Sequence, residues 1–179
     1  MATIYEEMHS INPAIEMTKR EHILNVYAYN KGTGEKKETK YFSMLWEAFA
    51  WAAVLGFVHG KRKPLEGKFD RPFEYSQIYN NGNDIFYSLI LFVVAKEGYE
   101  ILRDAKEVNK VIEEYANGGF EVIFTILRDK GNDYFGDDSN FLQEVLDRKS
   151  HIKMDEVLMK DMEDKKDEKI DDGESFNFM

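Results

Sequence analysis

Four histidines, His9, His22, His59 and His151, and no cysteine bound the chemistry open to this 179-residue chain. Without cysteine there are no disulfides, thiolate zinc sites, cysteine-ligated clusters or cysteine nucleophiles. The histidines show neither His-x-x-x-His nor His-Glu-x-x-His spacing, so a helical zinc site is not indicated. His59 falls at the end of a predicted helix, where a basic side chain favours the dipole. No Gly-x-Ser-x-Gly elbow occurs. Gly32 and Gly34 lie in Lys31-Gly-Thr-Gly-Glu-Lys-Lys-Glu, which lacks the third glycine and preceding strand of a dinucleotide loop and the Gly-Lys-Ser/Thr of a Walker loop. It reads as a surface turn.

Carboxylates are abundant but poorly arranged for catalysis or metal binding. Glu113 and Glu114 are adjacent, so on a helix they point about 100° apart and would not share one ion easily. Asp137 and Asp138 precede a predicted helix, where negative charge suits the N-terminus. Asp129, Asp133 and Asp137 share a loop with Gly131 and Asn132, in a register that does not fit an EF-hand. No metal or cofactor is expected.

Two segments stand out instead. Lys61, Arg62, Lys63, Lys68 and Arg71, against Glu66 and Asp70, make residues 61–71 locally +3 in an acidic chain. Such a loop either contacts phosphate or a partner, or is a solvated connection balancing nearby acids. The second segment, Ile112-Glu-Glu-Tyr-Ala-Asn-Gly-Gly-Phe-Glu-Val-Ile, joins a glutamate pair, an aromatic and two glycines. It reads as a helix ended near Asn117 or Gly118 with close packing at Gly119, or as a docking corner built from Glu113, Glu114, Tyr115, Asn117, Gly118 and Gly119.

The elements that position these segments read as helices. Residues 1–12 are mixed. Asn12 and Pro13 suit a helix start, and Ile15, Ile23, Leu24, Val26 and Tyr27 follow at helical spacing, although residues 23–29 are also β-rich. Ser43 suits the cap of a helix running to His59. Its apolar residues cover most of the circumference, which marks a central helix, and Gly60 suits its exit. Asn80-Asn-Gly-Asn-Asp is turn chemistry. It leads into a helix from Ile85 to Gly98 with Ile85, Phe86, Leu89, Ile90, Phe92, Val93 and Val94 inward. Residues 99–102 continue that helix or turn it. Asp104 opens another helix, broken or kinked at Gly118-Gly119. Residues 120–127 fit one helical face better than a strand. Asn140–Lys149 is a last short helix. The expectation is an all-α fold, a single domain of five or six helices over residues 1–149. Residues 150–179 form a charged, partly disordered tail.

Charge and hydropathy narrow the setting. The tail holds ten acids and five lysines, half of the net charge of −10, so the body is only mildly acidic. The runs at 44–58 and 85–95 are too short to span a bilayer. No signal peptide precedes the body, so the cytoplasm is expected. A 43% hydrophobic fraction is enough for a real core.

Trp51-Ala-Ala-Val-Leu-Gly-Phe-Val-His-Gly-Lys-Arg-Lys-Pro-Leu together with Ile112-Glu-Glu-Tyr-Ala-Asn-Gly-Gly-Phe-Glu-Val-Ile resembles the Dnd system-associated protein 4 family of bacterial DNA phosphorothioation systems, over about residues 43–130. The resemblance implies a non-catalytic subunit of an anti-phage defence complex, with an SMC-like ATPase and a nuclease effector as partners. The small middle subunit of Lamassu-type systems is a neighbouring resemblance. DNA would be met through the complex, or directly through the basic loop 61–71.

Overall fold

Thr3 starts the first helix through a reciprocal cap. Its hydroxyl accepts the Glu6 N–H at 3.4 Å, and the Glu6 carboxylate accepts the Thr3 N–H at 2.7 Å. The computed structural model describes residues 3–30 and 40–130. Helix α1 is Ile4–His9, with Met8 fully buried. The Thr-x-x-Glu signal was present in a stretch read only as mixed.

Asn12 and Pro13 do not open a helix. Ile15–Glu16 forms a short strand, β1, antiparallel to β2, Phe69–Asp70. The Ala14 N–H and the Glu16 carboxylate are both bound by side chains 99 and 101 residues away, which holds this stretch extended. Helix α2 then spans residues 17–27, with a π-helical turn at Arg20–Leu24. This settles residues 23–27 as helix, with Ile23 and Leu24 fully buried. Beyond it, Ala28 bridges Phe42 in parallel.

Helix α3 is Leu45–Val58. Met44, not Ser43, occupies the cap position. Methionine is a poor cap, so Glu47 in the first turn reaches back. Its carboxylate accepts the N–H groups of Ser43 and Met44 at 2.7 and 3.2 Å, and the Ser43 hydroxyl at 3.0 Å. Ala48, Phe49, Ala52 and Ala53 are fully buried, as a central helix requires. Gly60 takes φ 59°, the left-handed value that ends the helix.

Asn80–Asp84 is not a turn ahead of a helix. It lies inside α4, Tyr75–Glu97, whose backbone leaves helical geometry at Gly82. The turn chemistry thus appears as a kink between two helical runs. Phe86, Leu89, Ile90 and Val93 are buried as expected, but Ile85 and Phe92 are exposed. Both lie at the margin of the contact with α3, where Phe92 stacks on Phe57 at 5.3 Å and Ile85 borders a cavity lined by Trp46, Ala50, Trp51 and Val54. Gly98, at φ 86°, then turns the chain into the 3-10 helix Tyr99–Arg103.

Asp104 caps the last described helix, α5, Ala105–Lys130, by accepting the Lys106 and Glu107 N–H groups at 2.8 and 3.4 Å. Helix α5 runs unbroken through Gly118-Gly119, so the expected break is absent and residues 120–127 are helical. The glycines serve close approach instead. A Cβ on Gly119 would overlap the Ala52 carbonyl, one on Gly118 the Lys61 carbonyl, and one on Gly56 the Tyr115 carbonyl. Gly56 meets Tyr115 while Ala52 meets Gly119, so α3 and α5 run antiparallel with their backbones in contact.

The described fold is all-α with one two-stranded ribbon. The turn at residues 31–38, the loop after Lys130, the helix expected at 140–149 and the tail at 150–179 lie outside the described residues, as does the boundary drawn at 149.

Candidate functional site

Helix α5 presents Asn109, Glu113, Asn117 and Glu121 at every fourth position, so all four share one face. The first three are buried, as is Glu114 on the adjoining flank of the helix. Buried polar groups of this kind need partners. The irregular loop after α3 and the strap that includes β1 supply them.

Glu113 takes the Ala14 N–H at 2.6 Å, the Asn109 amide at 2.8 Å and Arg71 at 3.5 Å. The Arg71 guanidinium also donates to the Asn12 carbonyl and covers the Phe69 ring. Burial, with the nearby Glu113 charge, pushes the Tyr75 phenol well above its ordinary value and keeps it neutral.

Asn117 donates to the Glu16 carboxylate at 2.9 Å and to the Pro64 carbonyl at 3.0 Å. Glu16 also accepts the Glu66 N–H at 2.8 Å and pairs with Lys19 at 3.2 Å. One buried carboxylate thus joins the strap, the loop and α5.

Glu114 points to the other flank. It accepts the Arg62 Nε at 2.5 Å, while Arg62 Nη1 reaches Glu97 of α4 at 2.7 Å. The Arg62 guanidinium lies 5.9 Å from the Tyr115 ring, which in turn stacks on Phe57 at 4.1 Å. Glu121 binds Lys61 at 3.2 Å and also Lys63. The Glu114 carbonyl accepts the Lys63 N–H at 3.0 Å, so the loop backbone itself is tied to the helix.

The two segments singled out in the sequence are therefore one structure. Glu113, Glu114, Tyr115 and Asn117 are buried, and Gly118 and Gly119 face neighbouring backbone. The segment holds the interior together and leaves little for a partner to dock against. Of the basic residues, Lys61, Arg62, Lys63 and Arg71 are paired with α5 carboxylates. Lys68 makes no ion pair among the described residues, and its carbonyl accepts the Met17 N–H at 2.9 Å. The sequence reading missed Glu16, Asn109 and Glu121. Their fourfold spacing from Glu113 and Asn117 along the same helix was the signal that could have found Asn109 and Glu121. Glu16 carried none, because its partner lies 101 residues away.

The ion pairs shift the acids in a definite direction. Burial raises Glu16, but hydrogen bonds from the Glu66 N–H, Asn117 and Lys19 outweigh it and leave the carboxyl below its ordinary 4.5. The Lys63 hydrogen bond holds Glu121 below the same value against a smaller burial effect. A depressed folded value means that the stabilisation is present above 4.5 and is lost as pH falls through it. Urea midpoints should therefore be steady from pH 7 to about pH 5 and drop below that. Glu121→Gln should flatten part of the drop, and an unchanged acid limb would show that this clamp adds nothing to stability.

Among the described residues no group of three His, Asp or Glu side chains could hold a metal ion. No described helix is long and apolar enough to cross a membrane.

An all-α body whose loop is clamped to its central helix by buried carboxylates is the class that the fold and site define. The chain belongs to the DNA sulphur modification system-associated protein 4 family, which matches residues 25–160. No curated protein and no solved structure matches the chain.

Proposed function

We propose that this protein is a non-catalytic accessory subunit of an anti-phage defence complex linked to DNA phosphorothioation. In this reading it binds an SMC-like ATPase, its nuclease effector, or both, in the cytoplasm. Membership of a family tied to a DNA sulphur modification system supports the setting. The observation that carries the accessory role is the clamp. Its buried carboxylates are engaged by donors of the same chain, so this acidic cluster serves the fold.

Direct DNA binding through Lys61, Arg62, Lys63, Lys68 and Arg71 has less support. Four of these five cations already face carboxylates. A phosphate would have to compete with those contacts.

The test is co-expression of the tagged chain with the products of its neighbouring genes. The expected result is stable co-purification with the ATPase or the nuclease, and no turnover by the chain alone. Failure to retain either partner at low salt overturns the reading.

A further inference from the structure

Helix α3 places Trp46, Ala50 and Val54 in one column, four residues apart, and Glu47 and Trp51 in the next. Together with Ile85 of α4 they line a cavity of about 250 Å³. The kink at Gly82 makes room for it, since a Cβ there would stand 3.2 Å from Cη2 of Trp46. Glu47, Trp51 and Val54 are half-buried and Ile85 is exposed, so the cavity opens to solvent on that side. Pockets for drug-sized molecules run to roughly 300–1,000 Å³, so this one suits a single long side chain. Its described walls are two indoles and aliphatic carbon, with Glu47 as their one charge.

We propose that this cavity takes an arginine side chain of a partner protein, stacked on the indoles and paired with Glu47. Charge selects this occupant. Oε2 of Glu47 accepts the Ser43 and Met44 N–H groups, but Oε1 takes only the Ser43 hydroxyl, at 3.0 Å, and has room for another donor. Glu47 forms no ion pair among the described residues. Elsewhere the chain completes the same arrangement from within. Arg62 meets Glu114 and the Tyr115 ring, Arg71 meets Glu113 and Phe69, and Lys19 meets Glu16 and Phe124, the cations lying 5.9, 5.3 and 5.8 Å from the ring centroids. The cavity offers the carboxylate and the rings of that arrangement around a Glu47 that no described cation pairs. Indole is the most favourable ring for a cation. A planar guanidinium stacks on it while donating edge-on to a carboxylate. An apolar side chain in the same place would strip water from the Glu47 charge and return nothing.

This contact rests on the partner-binding role proposed above, but its chemistry is testable without a partner. Trp46 and Trp51 are the two tryptophans of the chain, so indole fluorescence reports on this cavity. Titrating the full-length protein with N-acetyl-arginine methylamide should give a saturable change. Binding should be about tenfold tighter than that of the citrulline analogue, which has the same shape and no charge. Glu47→Gln keeps an acceptor for the helix cap and should erase this preference with an unchanged circular dichroism spectrum. Val54→Phe fills the cavity and leaves Glu47 in place, so it should abolish the response even if the glutamine variant fails to fold. No response to the arginine probe overturns the proposal. So does an equal response to citrulline, a stronger one to N-acetyl-leucine methylamide, or one that survives Val54→Phe. In the co-expression test both variants should lose the partner. A partner retained by both overturns the proposal and leaves the accessory role standing. A selective arginine response from a chain that retains neither partner keeps the arginine site and fails only the accessory role.

Discussion

Replacing Glu113 by alanine is expected to destabilise the protein by about 3–5 kcal/mol, the range for breaking a buried, hydrogen-bonded charge. The carboxylate serves the Ala14 N–H, the Asn109 amide and Arg71. Truncation leaves the first two buried with no acceptor, and each orphaned donor costs about 1–3 kcal/mol. Arg71 suffers less, because it keeps the Asn12 carbonyl and its place over Phe69. Glu113→Gln retains one acceptor oxygen and should lose only about 1–2 kcal/mol. Urea unfolding at pH 7, followed by circular dichroism, separates the two. If the alanine variant loses less than about 1 kcal/mol, solvent has taken over the carboxylate's place and the strap is not held as described.

Gly119→Ala should destabilise the protein by about 2–3 kcal/mol, with the sign as the informative part. In a helix interior, alanine is favoured over glycine by about 1 kcal/mol. A break at Gly118-Gly119 would relieve the crowding and let that gain appear. The helix is continuous, and the added carbon would overlap the Ala52 carbonyl and stand 2.9 Å from the Gly56 nitrogen. Both obstacles are backbone, so no side chain can swing aside. The two central helices would have to separate along their length. Thermal unfolding reads the result directly, and a rise in midpoint would mean that α3 and α5 are further apart than the structure has them.

The sequence showed a good part of this. The extent of α3, the Asp104 cap and the helicity of residues 120–127 all follow from local patterns, because capping chemistry and apolar spacing are written within a few residues. Where the reading went wrong, a distant partner decided. Gly118-Gly119 was read as a break because glycine usually breaks helices. Here its missing side chain matters to a neighbouring helix more than to its own backbone. Ile15–Glu16 was placed in a helix, yet side chains about 100 residues on hold it extended. The site shows the same division. Glu113, Glu114 and Asn117 were singled out from their unusual setting, and so were Lys61, Arg62 and Lys63. That the two groups bind each other lay in the fold alone.

The strap carries a consequence for how the chain is made. Ala14 and Glu16 find their side-chain partners at Glu113 and Asn117. A ribosome has translated more than half the protein before either partner exists. Helix α1 can already pack on Tyr79 and Phe86 of α4, but the stretch around Ala14 and Glu16 must wait until α5 has emerged. Chains emerge at about 5–20 residues per second, so the wait lasts several seconds. Pairings this distant in sequence also close slowly. A truncation before Asn117 should therefore leave the nascent N-terminus as a ready ligand for chaperones, whereas one after Lys130 should not.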